Sequence, residues 1–422
     1  MMAPSTFYNL PVAYLCISLS LFKVWGDTSF ITAMVPPVIG ILTTPNVFST
    51  KNISDHQEVY FYIASSYVKW LEASGAKSIA IPYYATDEEL SQIFNQVNGI
   101  LFPGGSDYVD MPDSSAPKLY KMAKEANDKG DYMPIWGTCL GYEYLVMLTS
   151  SDDPTEQEES LQSDFDSWNM SLPLNFTTDA VHSTMYKSRY IRNMTQTLPL
   201  TMNNHHYGFD PEKFKSHDRL SSFFRVLSTN VDRQGRSFIS SVEAIHYPFY
   251  GVQFHPEKNM FEYATYPEST QPFEDINHSQ EGIEFSHYMG KFLVNEARKN
   301  MHKFVDTIKY PNIWSYESRL NVDGFEQILI IAKDTRVRPE KKHRGYVVWP
   351  AVLLLSITGS IILALILRAI MVCMSENEHV VDSQSETLDT PLLIDDSEED
   401  EEEEQEEEQD DEEARFKDPA QD

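Results

Sequence analysis

The sequence predicts an α/β fold, a central and mostly parallel sheet with helices on both faces. Three observations carry this. From Pro37 onward, short apolar runs alternate with segments of helical period. The connections between them are brief, which makes successive units neighbours joined by right-handed crossovers. A hydrophobic content of 41% with 12% aromatics in 422 residues is enough for a sizeable core.

In chain order, PVIGIL (37–42) reads as a buried strand. DHQEVYFYIASSYVKWLEAS (55–74) reads as a helix, because Tyr60, Ile63, Tyr67, Val68 and Leu71 fall at helical spacing and Gly75 supplies a stop. KSIAIPY is strand, DEELSQIFNQV helix, GILFPGG strand and turn, APKLYKMAKEANDKG helix, and MPIW a strand entering Gly137. From Ser150 to about Thr201 the chain turns polar, with an acidic patch at SDDPTEQEES, and reads as a surface excursion or small sheet rather than core. A helix at PEKFKSHDRLSSFF follows, then β-type runs at RSFISSVEAI and YPFYGVQFHPE, then a helix at GIEFSHYMGKFLVNEARKN. Residues 37–332 are therefore expected to form one α/β domain.

Both ends carry membrane signals. Residues 1–26 hold an apolar core from Leu10 to Phe22 with no acidic residue before Asp27, the pattern of a secretory signal peptide, with a signal anchor as the alternative. Tyr346 to Leu367 has no charged residue and is long enough to cross about 30 Å of hydrocarbon, which places a transmembrane helix at 346–370. Residues 333–345 form a basic stalk before it. Five Asn-x-Ser/Thr sequons, at Asn52, Asn169, Asn175, Asn193 and Asn277, all precede the span. A single-pass type I membrane protein of the secretory pathway follows, lumenal domain first, bound for the lysosome, vacuole or cell surface. The basic flank RVRPEKKHRG runs against the usual cytosolic bias of Lys and Arg. The distribution of the sequons outweighs it.

Of the formal charge of -31, residues 375–422 supply -21, from 23 acidic and two basic residues. The tail, 371–422, is thus expected to be solvated and disordered, and the folded part only mildly acidic, which gives no reason to expect nucleic acid as a partner. DTPLLI in the tail resembles acidic dileucine sorting signals, so Asp389, Leu393 and Ile394 are candidates for binding sorting adaptors.

Cys16 falls in the signal and Cys373 at the membrane edge, which leaves Cys139 alone in the lumenal part with no intramolecular disulfide partner. It lies in PIWGTCLGYEYL, where a strand runs into Gly-x-Cys-x-Gly and then a helix. That arrangement sets a nucleophile on a tight turn, and the free amides of the helix start are expected to lower its pKa towards thiolate. An inert buried cysteine is the plain alternative. His255 in YGVQFHPEK ends an apolar strand, and Glu257, two positions on along an extended segment, points the same way and can accept a hydrogen bond from the imidazole. Taken alone, His-Pro-Glu would be a surface turn. In FPGGSD the amide of Gly105, with that of Leu140, is placed to hold an oxyanion. No Cys/His cluster has metal-binding spacing, and no cofactor is expected.

Together FPGGS, PIWGTCLGYE, TMNNHHYGFD, FISSVEAIHYPFYGVQFHPEK and FLVNEARKN resemble γ-glutamyl hydrolase, of the class I glutamine amidotransferase-like group, over roughly Val38 to Asn300. The resemblance implies a flavodoxin-like three-layer domain and a cysteine peptidase that cleaves γ-linked glutamates from folylpoly-γ-glutamates through a thioacyl-enzyme. It implies Cys139 as nucleophile, His255 as base and Glu257 as its orienting partner, with Glu143, His205, Gly104 and Ser106 near the substrate and a homodimer as assembly. Glu143 has a surface carboxylate as its plain reading. His205 stands beside His206, and its spacing from Thr201 favours it. Two competing readings remain: a glutamine amidotransferase-like glutaminase, whose members carry Gln where this chain has Glu143, and a catalytically silent membrane glycoprotein acting as a binding or sorting receptor.

Overall fold

The computed structural model describes residues 35–45, 59–105, 111–266, 269–307, 309–322 and 324–334. The signal segment, Asn52, Ser106, the apolar span and the tail with Asp389, Leu393 and Ile394 lie outside the described residues. Among those described, no helix is long and apolar enough to cross a membrane.

The first apolar run forms β1 (Val38–Leu42), followed by the short β2 (Thr44–Pro45). The stretch expected as one helix divides into β3 (Val59–Ala64) and α1 (Ser65–Ala73). The helical spacing was real only in its second half. VYFYIA is aromatic and β-branched, a composition that favours a pleated surface, and it pairs with strands from both ends of the domain. Then come β4 (Lys77–Ile81), α2 (Asp87–Phe94), β5 (Gly99–Phe102), α3 (Ser115–Asp128), β6 (Ile135–Thr138) and α4 (Leu140–Ser150). Thr86 caps α2 and Ser114 caps α3 through their hydroxyls, each accepting from a first-turn amide that would otherwise lack a partner.

The polar excursion holds α5 (Pro154–Ser160), β7 (Ser167–Leu172), β8 (Asn175–Phe176), α6 (Arg189–Thr197) and β9 (Thr201–His205), of which β7 and β9 pair as a small antiparallel sheet. It is not all surface. Phe165, Leu174, Met185 and Tyr186 from this segment are buried. The next expected helix breaks at His217 into α7 (Pro211–Ser216) and α8 (Asp218–Phe223). A strand absent from the sequence reading, β10 (Phe224–Val231), precedes β11 (Ser237–Ala244), β12 (Phe249–Val252), α9 (Lys258–Phe261) and α10 (Gln280–Ala297). The domain closes with the hairpin β13 (Glu317–Val322) and β14 (Phe325–Asp334), so the folded part continues two residues past the expected boundary at 332.

The main sheet has the order β4-β1-β5-β6-β12-β11-β10-β8. Its first five strands are parallel and the last three antiparallel. In sequence order the parallel part runs 2-1-3-4-5, the flavodoxin-like arrangement, in which ligands bind beyond the carboxyl ends of the strands. Alternation along β1 sorts its side chains between the two covering layers. Val38 and Leu42 join the core under α2, α3 and α4, whereas Ile39 and Ile41 join the core under α1 and α10. Trp70 of α1 and Trp136 of β6 meet there with ring centroids 5.7 Å apart, both fully buried. A second, antiparallel sheet has the order β13-β14-β3-β2.

Candidate active site

The carboxyl ends of β5, β6 and β12 bring the expected residues together. Cys139 follows β6 at φ 51° and ψ −112°, a backbone region that favours glycine, and α4 begins at the next residue. Its amide donates to the Val252 carbonyl at 2.8 Å, tying the turn to the end of β12. The flanking glycines are steric necessities. A Cβ on Gly141 would overlap the Phe102 carbonyl at the end of β5, and one on Gly137 would come within 2.5 Å of the Gly141 oxygen. Strand and helix can cross this closely only because neither position carries a side chain.

Gly104 marks the centre of the site. A Cβ built there would stand 2.6 Å from His255 Cε1, 2.9 Å from the Tyr67 hydroxyl and 3.4 Å from Cys139 Cβ. His255 Cε1 and Cys139 Cβ thus both border one point, though far apart in sequence. The Gly104 amide donates to the Tyr67 hydroxyl at 2.8 Å and is thereby already engaged. Gly105 packs against Thr44 and Leu140, next to the start of α4, and the Leu140 amide acts on the Cys139 sulfur as a hydrogen-bond donor.

His255 Nδ1 lies 2.7 Å from Glu257 Oε1 and 3.5 Å from the Tyr67 hydroxyl. The contact with Glu257 arises differently from the sequence reading. β12 ends at Val252, and Pro256 and Glu257 form a turn with Glu257 in the α region, so the contact is made across a turn instead of along an extended strand. Both side chains are buried, Glu257 completely.

The expected lowering of the thiol pKa does not hold. Burial pushes the Cys139 thiol up, the Glu143 carboxylate pushes it further, and the favourable action of Lys258 and the Leu140 amide does not offset them. A helix start lowers a thiol pKa only as far as solvent or a cation lets the anion persist, and Cys139 is 4% exposed. Glu143 is no surface group. It is buried in the first turn of α4 and accepts from Gln253 Nε2 at 2.8 Å. His205 is buried beside Phe165 and Phe238, with Nδ1 2.7 Å from the Tyr207 carbonyl and Nε2 without a partner. Burial holds its pKa down to about 3. His206, the neighbour, is exposed and stacked on Trp168 at 5.2 Å. Of the sequon residues, Asn175 and Asn193 are exposed, while the side chains of Asn169 and Asn277 are hydrogen-bonded to the Asp275 amide and the Pro199 carbonyl respectively.

Sequence reasoning missed Tyr67 beside His255, and the buried ion pair of Lys258 with Glu274 at 2.5 Å. Tyr67 was read as one more apolar position of an amphipathic helix, and the spacing that buries its ring says nothing about where the hydroxyl ends. Lys258 directly follows Glu257, and its burial is legible only in three dimensions. Among the described residues no group of three or more His, Cys, Asp or Glu is arranged to hold a metal ion.

Comparison with known proteins places these features in context. Residues 37–257 match the family described as peptidase C26. The chain is 40% identical over 279 residues to gamma-glutamyl hydrolase B of Dictyostelium discoideum, covering 64% of this chain and 74% of that protein. It is 37% identical over 324 residues to the gamma-glutamyl hydrolase of Homo sapiens, covering 74% of this chain and 93% of that one. To the Mus musculus gamma-glutamyl hydrolase it is 38% identical over 256 residues, 59% of this chain and 75% of the mouse protein.

Proposed function

The chain belongs to the peptidase C26 family, and from that premise we propose that it hydrolyses γ-glutamyl bonds with Cys139 as nucleophile. The observation that carries the assignment of roles is the meeting of His255 and Cys139 at Gly104, on a cysteine backbone that only a strained turn provides. Substrate binding completes the ionisation that burial opposes in the resting site. His255 Nε2 takes the thiol proton, and the sulfur attacks the γ-amide carbonyl carbon. The amides of Gly105 and Leu140 receive the negative charge of the tetrahedral oxygen. Glu257, acceptor to Nδ1, fixes the ring and balances the imidazolium as it forms. The imidazolium then protonates the leaving nitrogen, the C–N bond breaks, and a thioester remains. Water adds to it with His255 as base, which restores the thiol and releases the γ-carboxylate.

Folylpoly-γ-glutamates are the substrate class this reading favours, with Glu143 and His205 lining the approach. The sequons, the signal-like residues 1–26 and the apolar span at 346–370 support a lumenal hydrolase held by one helix, with the acidic tail in the cytosol. The test uses the full-length glycosylated chain, offered pteroyl pentaglutamate, a γ-glutamyl dipeptide and free glutamine, with products followed by mass spectrometry. Shortened pteroyl species and free glutamate, lost in Cys139→Ala, are expected. Ammonia from glutamine without cleavage of either peptide overturns the reading.

A further inference from the structure

A cavity of about 240 Å³ lies beyond the carboxyl ends of β1 and β4, where Thr43 and the turn from Pro82 to Tyr84 leave the main sheet. The second sheet closes it with Phe61 of β3 and its partner Ala332 of β14, and the segment before β13 adds Lys309, Tyr310 and Tyr316. Among the described residues twelve line it, and five of these carry aromatic rings. Three of the rings pack on one another, Tyr84 meeting Tyr83 at 4.9 Å and Phe61 at 5.7 Å, both edge to face. The Tyr83 amide donates to Thr43 Oγ1 at 2.9 Å, which ties this wall to the end of β1. Aromatic walls favour a flat ring as occupant. The volume is below that of a pocket for a whole drug-sized ligand, so it suits one ring system and not an entire substrate.

The polar groups narrow the choice of ring. Glu89, in the first turn of α2, lines the cavity half-buried, and its carboxylate accepts N–H donors. The Lys309 ammonium lies over the Tyr310 ring at 5.4 Å and donates to the Gln92 side chain, bracing that wall. The Tyr310 hydroxyl is buried without a hydrogen-bond partner. A ring with its own N–H groups suits this lining better than a plain hydrocarbon. The cavity shares a rim with the cysteine. Thr44, the residue after Thr43, packs on Gly105, whose neighbour Gly104 borders Cys139 and His255. In the order β4-β1-β5-β6 the two places stand three strand spacings apart, about 14 Å. One γ-linked glutamate spans roughly 6 Å when extended, so a tail of two or three residues crosses the gap.

We propose that this cavity is a subsite for the aromatic head of the substrate: it takes a planar, N–H-bearing heterocycle such as the pteroyl group, while the γ-glutamyl tail runs to Cys139. The proposal rests on the hydrolase reading and adds to it where the uncut end is held. The test uses the full-length chain with pteroic acid, the head alone, in equilibrium dialysis. Kinetics on pteroyl pentaglutamate and on penta-γ-glutamate, which lacks the head, run beside it. Tyr84→Ala is expected to weaken pteroic acid binding about tenfold and to raise the ratio of the two KM values, with head over without, by a similar factor. Glu89→Gln keeps the cap of α2, which uses the backbone amide of this residue, and is expected to weaken pteroic acid about fivefold. No binding of pteroic acid, or binding and a KM ratio that both variants leave unmoved, overturns the proposal. Should Tyr84→Ala not fold, Glu89→Gln decides alone. Failure of the hydrolase reading has a different signature: wild type cuts neither peptide, and dialysis still reports on the cavity.

Discussion

The Nδ1 atom of His255 and the Oε1 atom of Glu257 lie 2.7 Å apart, and neither side chain is open to solvent. A carboxylate buried against an imidazole is costly unless the imidazole becomes positive at some stage, because only then is the charge compensated. Glu257→Gln keeps the shape and hydrogen-bonding capacity but not the charge. We expect kcat to fall by about 10²- to 10⁴-fold with little change in KM. Separate measurement of kcat and KM on a γ-glutamyl peptide checks this, and an unchanged kcat would remove Glu257 from the mechanism.

Cys139 sits in a backbone region that costs a side-chain-bearing residue about 1–3 kcal/mol. In a helix interior, glycine is less stable than alanine; here the order should invert. Both Cys139→Ala and Cys139→Gly are expected to be inactive, with the glycine variant more stable by about 1 kcal/mol, or about 2 °C in Tm. Calorimetry of the two proteins decides it. An alanine variant that equals or exceeds the glycine variant would show that the turn is unstrained.

Tyr67 carries its hydroxyl to two groups at once, accepting from the Gly104 amide and meeting His255 Nδ1. Tyr67→Phe preserves the packing of α1 and leaves a buried amide without its acceptor, at a cost of about 1–3 kcal/mol. Part of this should appear as a lower Tm and part as kcat/KM reduced about tenfold, since the FPGG turn and the imidazole lose a shared anchor. Wild-type values of both would assign the hydroxyl no role.

What was legible in the sequence was the part governed by local rules. The alternation of β1, β4, β5 and β6 with α2, α3 and α4 follows from apolar period and capping residues. The elbow at Cys139 follows from its flanking glycines. The rest depended on contacts between distant segments. Tyr60 and Ile63 stand at helical spacing, and only pairing with β14, some 270 residues later, makes them strand and sends them to opposite faces. The thiol pKa was misjudged because sequence displays the helix start but not the burial of Cys139 or the inward turn of Glu143. Tyr67 and Glu274 each look ordinary until the fold sets them beside His255 and Lys258.

Two buried groups give stability opposing responses to acid. His205 has its pKa held down to about 3 by burial against 6.5 when unfolded, so its contribution is present above pH 6.5 and is lost as pH falls, by about 1.4 kcal/mol per unit across that window. Glu262 is pushed up to about 7 by burial against 4.5 when unfolded, so its contribution is present below pH 4.5 and is lost as pH rises towards 7. Between pH 4.5 and 6.5 the two slopes largely cancel. His205→Gln should therefore unmask Glu262 and gain stability relative to wild type on acidification. Glu262→Gln should unmask His205 and lose stability over the same range. Urea midpoints from pH 4.5 to 7.5 for the three proteins check the signs. If both variants track wild type in parallel, the two groups titrate as they do in the unfolded chain and their burial is not what the structure implies.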